Sequence, residues 1–176
     1  SKIMSNKFRL SSGGEINRTE RISFKFNGKT FFGYKGDTLA SALLANGVHL
    51  VGRSFKYHRP RGFLGSGSEE PNAIVQIIKD KARTEPNIRA TEIEIFEGFE
   101  AKSQNCWPSV NFDLGEINNF LSPLLPAGFY YKTFMWPAKL WKTYEYFIRK
   151  SAGLGVSATE RDPDLYDHKY YHCDVL

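Results

Sequence analysis

An Asn27-Gly28 pair, set between two short apolar stretches, restricts the fold of this chain more than any other pattern in it. Apolar and polar residues alternate over residues 22–26, which predicts a strand with one buried face. Residues 30–34 provide a second strand after the pair. Asn-Gly is the strongest short signal for a β-hairpin because both residues tolerate positive φ. The sequence therefore predicts an antiparallel hairpin centred on this pair.

A short helix is predicted directly after the hairpin. Gly36-Asp37 is expected to cap its N-terminus, and its buried side is formed by Leu39, Leu43 and Leu44. Asn46-Gly47 is expected to end it, because these residue types are favoured at the C-terminal end of a helix. The first part of the chain therefore has the order strand, strand, helix.

Two further strand-like runs follow a long loop. Residues 73–78 are apolar enough for a central strand, and isoleucines alternate with glutamates over residues 91–96. Hairpin, helix, long loop, strand, strand is the order of a β-grasp domain, an α+β fold that plant-type ferredoxins share. We therefore predict a ferredoxin-like β-grasp domain over residues 21–97, preceded by a flexible N-terminal arm over residues 1–20.

The long loop of a plant-type ferredoxin carries the ligands of a [2Fe-2S] cluster, and this sequence lacks them. The pattern requires three cysteines spaced C-x4-C-x2-C and a fourth further on, because thiolates hold both irons. One register places Leu64, Glu69 and Asn72 at the three positions. The two cysteines of the chain, Cys106 and Cys173, lie outside the loop. The sequence therefore predicts a domain without an iron-sulfur cluster, in which the cluster loop has been replaced.

The loop begins with a basic segment, residues 53–62, which is the best candidate for a binding function. Arginine is suited to bidentate contacts with phosphate or carboxylate, and several arginines surround one proline here. The candidate site residues are His58, Arg59, Arg61 and Gly62. They either reach an anionic group, such as a dinucleotide pyrophosphate or an acidic partner surface, or belong to a loop braced internally by the acidic pair, Glu69 and Glu70. The residue types alone leave both interpretations open.

No catalytic constellation is evident in the sequence. Gly65-Ser66-Gly67-Ser68 lacks the GK[ST] that a phosphate-binding loop needs, which favours a flexible loop. His168 and His172 have i, i+4 spacing, but no glutamate completes a zinc motif beside them. Cys106 has no neighbouring histidine to act as a base, so we expect a buried structural thiol. We therefore predict no catalytic residue and no metal site.

Composition limits the partners of the chain. Hydrophobic residues make up 41% of 176 residues, enough for a core, and a net charge of +5 favours an anionic partner only modestly. The sequence has no helix-turn-helix, zinc-ligand or RNA-recognition signature, so we expect no nucleic acid. It has no apolar run as long as a membrane span and no signal peptide, so we expect no membrane either. Two distant cysteines indicate a reducing compartment, and we expect a cytoplasmic protein.

The character of the sequence changes after residue 97. Prolines interrupt an aromatic-rich segment, a short helix is predicted over residues 114–121, and a longer one with an apolar stripe begins near Pro137. We therefore predict a mostly helical, proline-punctuated connector over residues 98–160, followed by a linker over residues 161–176.

Three blocks of the sequence resemble the alpha subunit of heterotetrameric sarcosine oxidase. In chain order the blocks are Gly52–Asn72, Asn105–Ser109 and Ala127–Pro137. The resemblance extends from about Phe8 to Leu176. It implies that the chain is the N-terminal region of such a subunit, and that its last residues lead into a dinucleotide-binding domain missing from this chain. We therefore expect the chain to be a fragment.

The resemblance also implies a function for the whole complex, which oxidatively demethylates sarcosine to glycine. Formaldehyde or methylene-tetrahydrofolate and hydrogen peroxide are the other products. NAD, FAD, FMN and tetrahydrofolate are implied as cofactors of the complex, and none is expected on this fragment. The implied partners are the remainder of the alpha subunit and the beta, gamma and delta subunits.

For this chain the resemblance implies a structural and subunit-contact role, with no activity of the fragment alone, within an oxidoreductase. Two alternatives stay open from the sequence. One is the [2Fe-2S]-type electron-transfer module of a related amine dehydrogenase that has lost its cluster. The other is a free-standing basic binding module for nucleic acid or an acidic protein, for which steeply salt-dependent nucleic-acid binding would be the sign.

Overall fold

The predicted hairpin forms the first two strands of a sheet. The computed structural model describes residues 6–54, 58–80, 82–106, 108–114, 155–170, 172 and 174. Its elements in chain order are β1 (Asn17–Phe26), β2 (Lys29–Lys35), α1 (Leu39–Ala45), β3 (Gly52–Arg53), β4 (Pro60–Arg61), β5 (Ile74–Ile78), β6 (Thr84–Arg89) and β7 (Phe99–Ser103). Strands β1 and β2 are antiparallel. Asn27 and Gly28 have φ angles of 51° and 75°, and the hairpin prediction is confirmed.

The main sheet has five strands in the order β2-β1-β7-β5-β6. Its central strand β7 is parallel to β1 and antiparallel to β5. The strand predicted over residues 73–78 is confirmed as β5. The predicted α+β, β-grasp fold class is confirmed as well, because this mixed sheet shares one core with α1. Strand β7 belongs to the sheet although it lies beyond residue 97, where the sequence pattern places the end of the domain.

Residues 91–96 do not form the strand that their alternating pattern predicts. Leu39 N donates to Ile93 O at 2.9 Å, and Ile95 N donates to Asp37 O at 3.0 Å, so this segment runs beside the start of α1. Ile95 is only 2% exposed because it packs into the core there. The alternation therefore reflects contact with the helix, and β6 and β7 provide the sheet pairing instead.

Helix α1 begins one residue later than predicted. Thr38 is the N-cap, since its Oγ1 accepts a hydrogen bond from Ser41 N at 3.2 Å, and the predicted cap at Gly36-Asp37 is wrong. Two of the three leucines predicted to be buried are fully buried, whereas Leu44 is 38% exposed and lies on the outer side. The predicted end of the helix is confirmed, with Asn46 as the C-cap.

A buried carboxylate joins the N-terminal residues to the hairpin and the helix. The fully buried Asp37 accepts hydrogen bonds from Arg9 Nη1 at 3.0 Å and from Arg9 Nη2 at 2.6 Å. Tyr34 N and Ser41 Oγ donate to the same carboxylate at 2.9 Å and 2.8 Å. The described part of the predicted arm over residues 1–20 is thus attached to the domain at Arg9.

The core lies where the inner side chains of the strands meet α1. Burying a large apolar side chain contributes about 1.5–3 kcal/mol relative to leaving it exposed. The buried members of the core are Phe24, Phe26, Phe31, Leu39, Ala40, Ala42, Leu43, Val51, Ala73, Val75, Ile77, Ala90, Ile95, Phe99 and Ala101. Because Val51 and Ala73 of the loop between α1 and β5 belong to this core, the core helps to hold that loop in place.

The described C-terminal residues are attached to β5 and to the residue just before β6. Gln76 Nε2 donates to Val156 O at 3.0 Å, and Val156 N donates to Gln76 Oε1 at 3.3 Å. Arg83, just before β6, forms an ion pair with Asp164 at 3.0 Å. The chain therefore returns to β5 and β6 after residue 154.

The two helices predicted for the connector lie outside the described residues, apart from Leu114 at the start of the first. The division of the chain at residues 20, 97 and 160 stays a prediction. Among the described residues, no helix has the length and apolar character needed to cross a membrane.

Candidate functional site

The basic segment forms a small hairpin whose strands are β3 and β4. Gly52 pairs with Arg61, and Arg53 pairs with Pro60. Residues 55–57, between the two strands, lie outside the described residues. The short ladder fixes the backbone of the candidate residues on its return strand.

Arg53 is buried at the base of this hairpin. The residue is 9% exposed, and its Nε donates to Val110 O at 2.9 Å. Its Nη1 donates to His58 O at 2.8 Å, and its Nε lies 4.0 Å from Asp113 Oδ2. Arg53 therefore ties the hairpin to residues 110–113.

His58 also faces this internal cluster. Its Nδ1 lies 2.6 Å from Asp113 Oδ2, and the two side chains are 14% and 1% exposed. His58 has a φ of 51°, a left-handed conformation that fits a tight turn. An internal carboxylate thus engages Nδ1 of His58. Sequence reasoning missed Asp113 because it lies far along the chain from the basic segment.

Arg59 and Arg61 are exposed, in contrast to Arg53. The backbone of Arg59 is fixed, because its N–H donates to Ser54 Oγ at 2.9 Å. Gly62 is half-buried, and an added Cβ there would lie 2.6 Å from His49 O. The absence of a side chain at Gly62 therefore permits the close approach of two backbone segments. The structure places Arg59 and Arg61 together on one exposed strand end and gives Gly62 a packing role.

The acidic pair binds backbone amides of its own loop. Glu70 is fully buried, and one of its carboxylate oxygens accepts hydrogen bonds from Leu64 N and Gly65 N, both at 2.6 Å. The other oxygen accepts one from Asn72 N at 2.9 Å. The loop is thus braced internally, by backbone hydrogen bonds to a buried carboxylate.

Both carboxyl groups of the pair favour the ionised state. Burial raises the pKa of Glu70, but four backbone N–H groups of the loop lower it by more, so its pKa lies below the ordinary value. The pKa of Glu69 is lowered by its own backbone N–H and by those of Gly67 and Ser66. A phosphate bound at the Gly65-Ser66-Gly67-Ser68 segment would need free backbone N–H groups, whereas those of Gly65, Ser66 and Gly67 donate to the chain's own carboxylates.

Cys106 lies close to the Arg53 cluster and is half-buried, not fully buried as predicted. Burial raises the pKa of Cys106, and the charge of Asp113 raises it further, while Arg53 partly opposes both effects. A thiol with a raised pKa is protonated at neutral pH and is a poor nucleophile. His168 and His172 are exposed.

The side chains of the loop do not fit an iron-sulfur cluster. Leu64, Glu69 and Asn72 stand at the C-x4-C-x2-C positions, and none offers a thiolate. Glu69 is instead bonded to backbone N–H groups. In the part of the chain that the structure describes, no group of three or more His, Cys, Asp or Glu side chains is arranged to hold a metal ion.

A family model for the 2Fe-2S iron-sulfur cluster binding domain matches residues 19–106, which is half of the chain. The chain belongs to this family. The match covers the loop as well as the sheet and the helix, so the scaffold is that of the family. The donor set of the loop nevertheless departs from what the family's cluster requires.

The predicted resemblance to the alpha subunit of sarcosine oxidase is confirmed by its relatives. The sarcosine oxidase subunit alpha of Rhizobium meliloti (strain 1021) is 58% identical over 172 residues, which cover 97% of this chain and 17% of that protein. The subunit of Corynebacterium sp. (strain U-96) is 30% identical over 182 residues, covering 98% and 14%. The chain therefore spans less than a fifth of the length of these curated relatives.

A solved structure is also similar in part. The crystal structure of L-proline dehydrogenase from P. horikoshii matches with a TM-score of 0.40 and 22% identity, over 53% of this chain and 17% of that one.

Proposed function

We propose that the chain is a structural and subunit-contact module of a sarcosine oxidase alpha subunit. The observation that carries this proposal is the high identity to the Rhizobium meliloti subunit along almost the whole chain. The full complex then demethylates sarcosine oxidatively to glycine, with NAD, FAD, FMN and tetrahydrofolate as cofactors. Its other members are the beta, gamma and delta subunits, in a heterotetramer located in the cytoplasm.

The geometry of the described residues supports a structural role over a catalytic one. Three carboxylates are buried, and each forms hydrogen bonds or an ion pair that stabilises the fold: those of Asp37, Glu70 and Asp113. The thiol of Cys106 favours the protonated form. These groups hold segments of the chain together, and we assign no catalytic step to them.

The two alternative functions gain less support. An electron-transfer module needs a cluster, and the donor set of the loop does not fit one. A basic binding module needs a concentrated positive surface, whereas Arg53 is buried against Asp113 and the net charge is only +5.

Within the proposed module, we infer that Arg61, with Arg59 beside it, contacts an anionic group outside this chain. Both residues are exposed on a backbone fixed by the small hairpin. A side chain on a fixed backbone loses less conformational freedom on binding than one on a mobile loop. The group is either the pyrophosphate of the NAD on the following domain or a carboxylate on a partner subunit.

The test replaces Arg61 by alanine in the full-length alpha subunit expressed with its partner subunits. Lys29→Ala, which removes another exposed cation, beside the β1–β2 turn, is the matched control. We expect Arg61→Ala to weaken either NAD binding, measured by titration, or subunit association, measured by gel filtration, by about fivefold. NAD affinity and association that match those of the Lys29→Ala variant would contradict the assignment.

A further inference from the structure

The Glu70 carboxylate occupies an unusual position for a charged group. Its residue is fully buried, and the ion pairs formed among the described residues do not include it. Its oxygens instead accept hydrogen bonds from Leu64 N, Gly65 N and Asn72 N at 2.6–2.9 Å. Burying a charge is costly unless hydrogen bonds compensate it, so the loop and the carboxylate stabilise each other.

The Glu70 carboxylate lies in the loop that carries the cluster ligands in a plant-type ferredoxin. Leu64 and Asn72, two of the residues whose backbone N–H groups donate to Glu70, stand at the first and third positions of the C-x4-C-x2-C register. A thiolate-held cluster is anionic at its sulfurs and accepts hydrogen bonds there. In this chain the N–H groups at those positions converge on a carboxylate instead.

We propose that the Glu70 side chain is a built-in anionic centre that organises the 62–72 loop in place of a [2Fe-2S] cluster. The loop then folds without metal, and the chain does not accept a cluster even when iron and sulfide are supplied. This inference concerns the loop alone and holds whether or not the chain functions in a sarcosine oxidase.

Neighbouring contacts complete the loop around this centre. Glu69, which is exposed, accepts hydrogen bonds from Ser66 N at 3.3 Å and Gly67 N at 3.1 Å. Thr91 Oγ1 donates to Gly67 O at 2.7 Å, and Arg89 Nε donates to the backbone O of Glu70 at 3.2 Å. The loop is therefore anchored by Glu70 from within and by Arg89, at the end of β6, and Thr91 from the neighbouring segment.

The first test compares Glu70→Gln with Glu69→Gln in the 176-residue chain, since the two substitutions remove the same charge at adjacent positions. A glutamine at position 70 places an NH2 group against backbone N–H donors, whereas at position 69 water can replace the lost contacts. We expect the urea midpoint to fall by about 1 M or more for Glu70→Gln and to change little for Glu69→Gln. Equal midpoints for the two variants would overturn the proposal.

Hydrogen exchange shows which amides the substitution affects, and the exchange of the wild-type chain tests the proposal even if the Glu70→Gln variant does not fold. In the wild-type chain we expect the amides of Leu64, Gly65 and Asn72 to be protected from exchange, although they belong to a loop. In Glu70→Gln they should exchange faster while the amides of the central strand β7 stay protected. Rapid exchange of these three amides in the wild-type chain would refute the proposal.

Cluster reconstitution tests the second half of the proposal. The wild-type chain is incubated anaerobically with ferrous iron, sulfide and a thiol reductant, and is then desalted. We expect no visible absorption of a cluster and no retained sulfide. Stoichiometric iron and acid-labile sulfide, with the loop amides still protected, would show that the carboxylate does not exclude a cluster and would overturn this part.

Discussion

Replacing Asp37 by asparagine removes one charge from the junction of the N-terminal residues, the hairpin and α1. The carboxylate is fully buried and accepts hydrogen bonds from both terminal nitrogens of Arg9, at 3.0 Å and 2.6 Å. An asparagine keeps the shape, but it turns an NH2 group toward one Arg9 nitrogen whichever way its amide is oriented. The variant therefore loses at least one charge-assisted hydrogen bond and leaves a largely buried guanidinium without its counter-charge.

The expected cost follows from these contacts. One hydrogen bond to a charged group contributes about 1.5–3 kcal/mol, and removing one member of a buried ion pair costs about 3–5 kcal/mol. Because Arg9 keeps 12% of its side chain in contact with water, we expect a cost that lies between these two estimates, about 2–4 kcal/mol. With a urea dependence of about 2 kcal/mol per M, the unfolding midpoint should fall by about 1–2 M.

Urea unfolding followed by circular dichroism measures this change. Glu20→Gln is the matched control, since Glu20 pairs with Lys35 at 3.0 Å with side chains 52% and 59% exposed. Such an exposed pair contributes less than about 1 kcal/mol. An Asp37→Asn midpoint as close to wild type as that of Glu20→Gln would refute the reasoning that the buried pair stabilises this junction.

Three further predictions follow from close contacts and from charge. Gly33→Ala would place a Cβ 2.5 Å from Ile95 Cδ1 in the core, so we expect a loss of about 1–3 kcal/mol in urea unfolding, and an unchanged midpoint would contradict it. Gly155→Ala would place a Cβ 2.4 Å from Pro86 Cβ, so we expect faster proteolysis of the residues after position 155 without a change in the sheet. Equal cleavage rates for the variant and the wild-type chain would contradict this prediction. The pKa of Glu70 is lowered on folding, so the contribution of its carboxylate to the stability of the fold is complete above the ordinary pKa of 4.5 and is lost as the pH falls below it. The Glu70→Gln variant should therefore lose less stability in acid than the wild-type chain does. Parallel acid profiles for the two proteins would contradict this.

Much of the fold could be predicted from local patterns in the sequence. The hairpin followed from Asn27-Gly28, and β5 from its apolar run, because each pattern depends on neighbouring residues only. Strand β6 was missed because it contains Pro86, which an edge strand tolerates. Strand β7 was missed because its five residues include two charged side chains, and its pairing with β1 joins distant parts of the sequence.

The candidate site was less predictable, because residue types do not specify which way backbone amides point. The sequence identifies Glu69 and Glu70 as possible braces for the arginines, whereas the structure directs them to N–H groups of their own loop. In the sequence, a loop whose backbone N–H groups bind its own carboxylates is indicated only by the two acidic residues that directly follow Gly65-Ser66-Gly67-Ser68. The partner of His58, Asp113, could not be found this way, because nothing local to either residue indicates the other.

The proposal of a cluster-free module in a sarcosine oxidase alpha subunit can be tested on the protein purified from its source. The measurements are the intact mass of the chain, the identity of co-purifying subunits, and the flavin and acid-labile sulfide content. We predict a chain several times heavier than 20.1 kDa, associated with flavin-bearing subunits and free of acid-labile sulfide. A 20.1 kDa species that purifies alone, or a complex that carries acid-labile sulfide bound to this domain, would contradict the proposal.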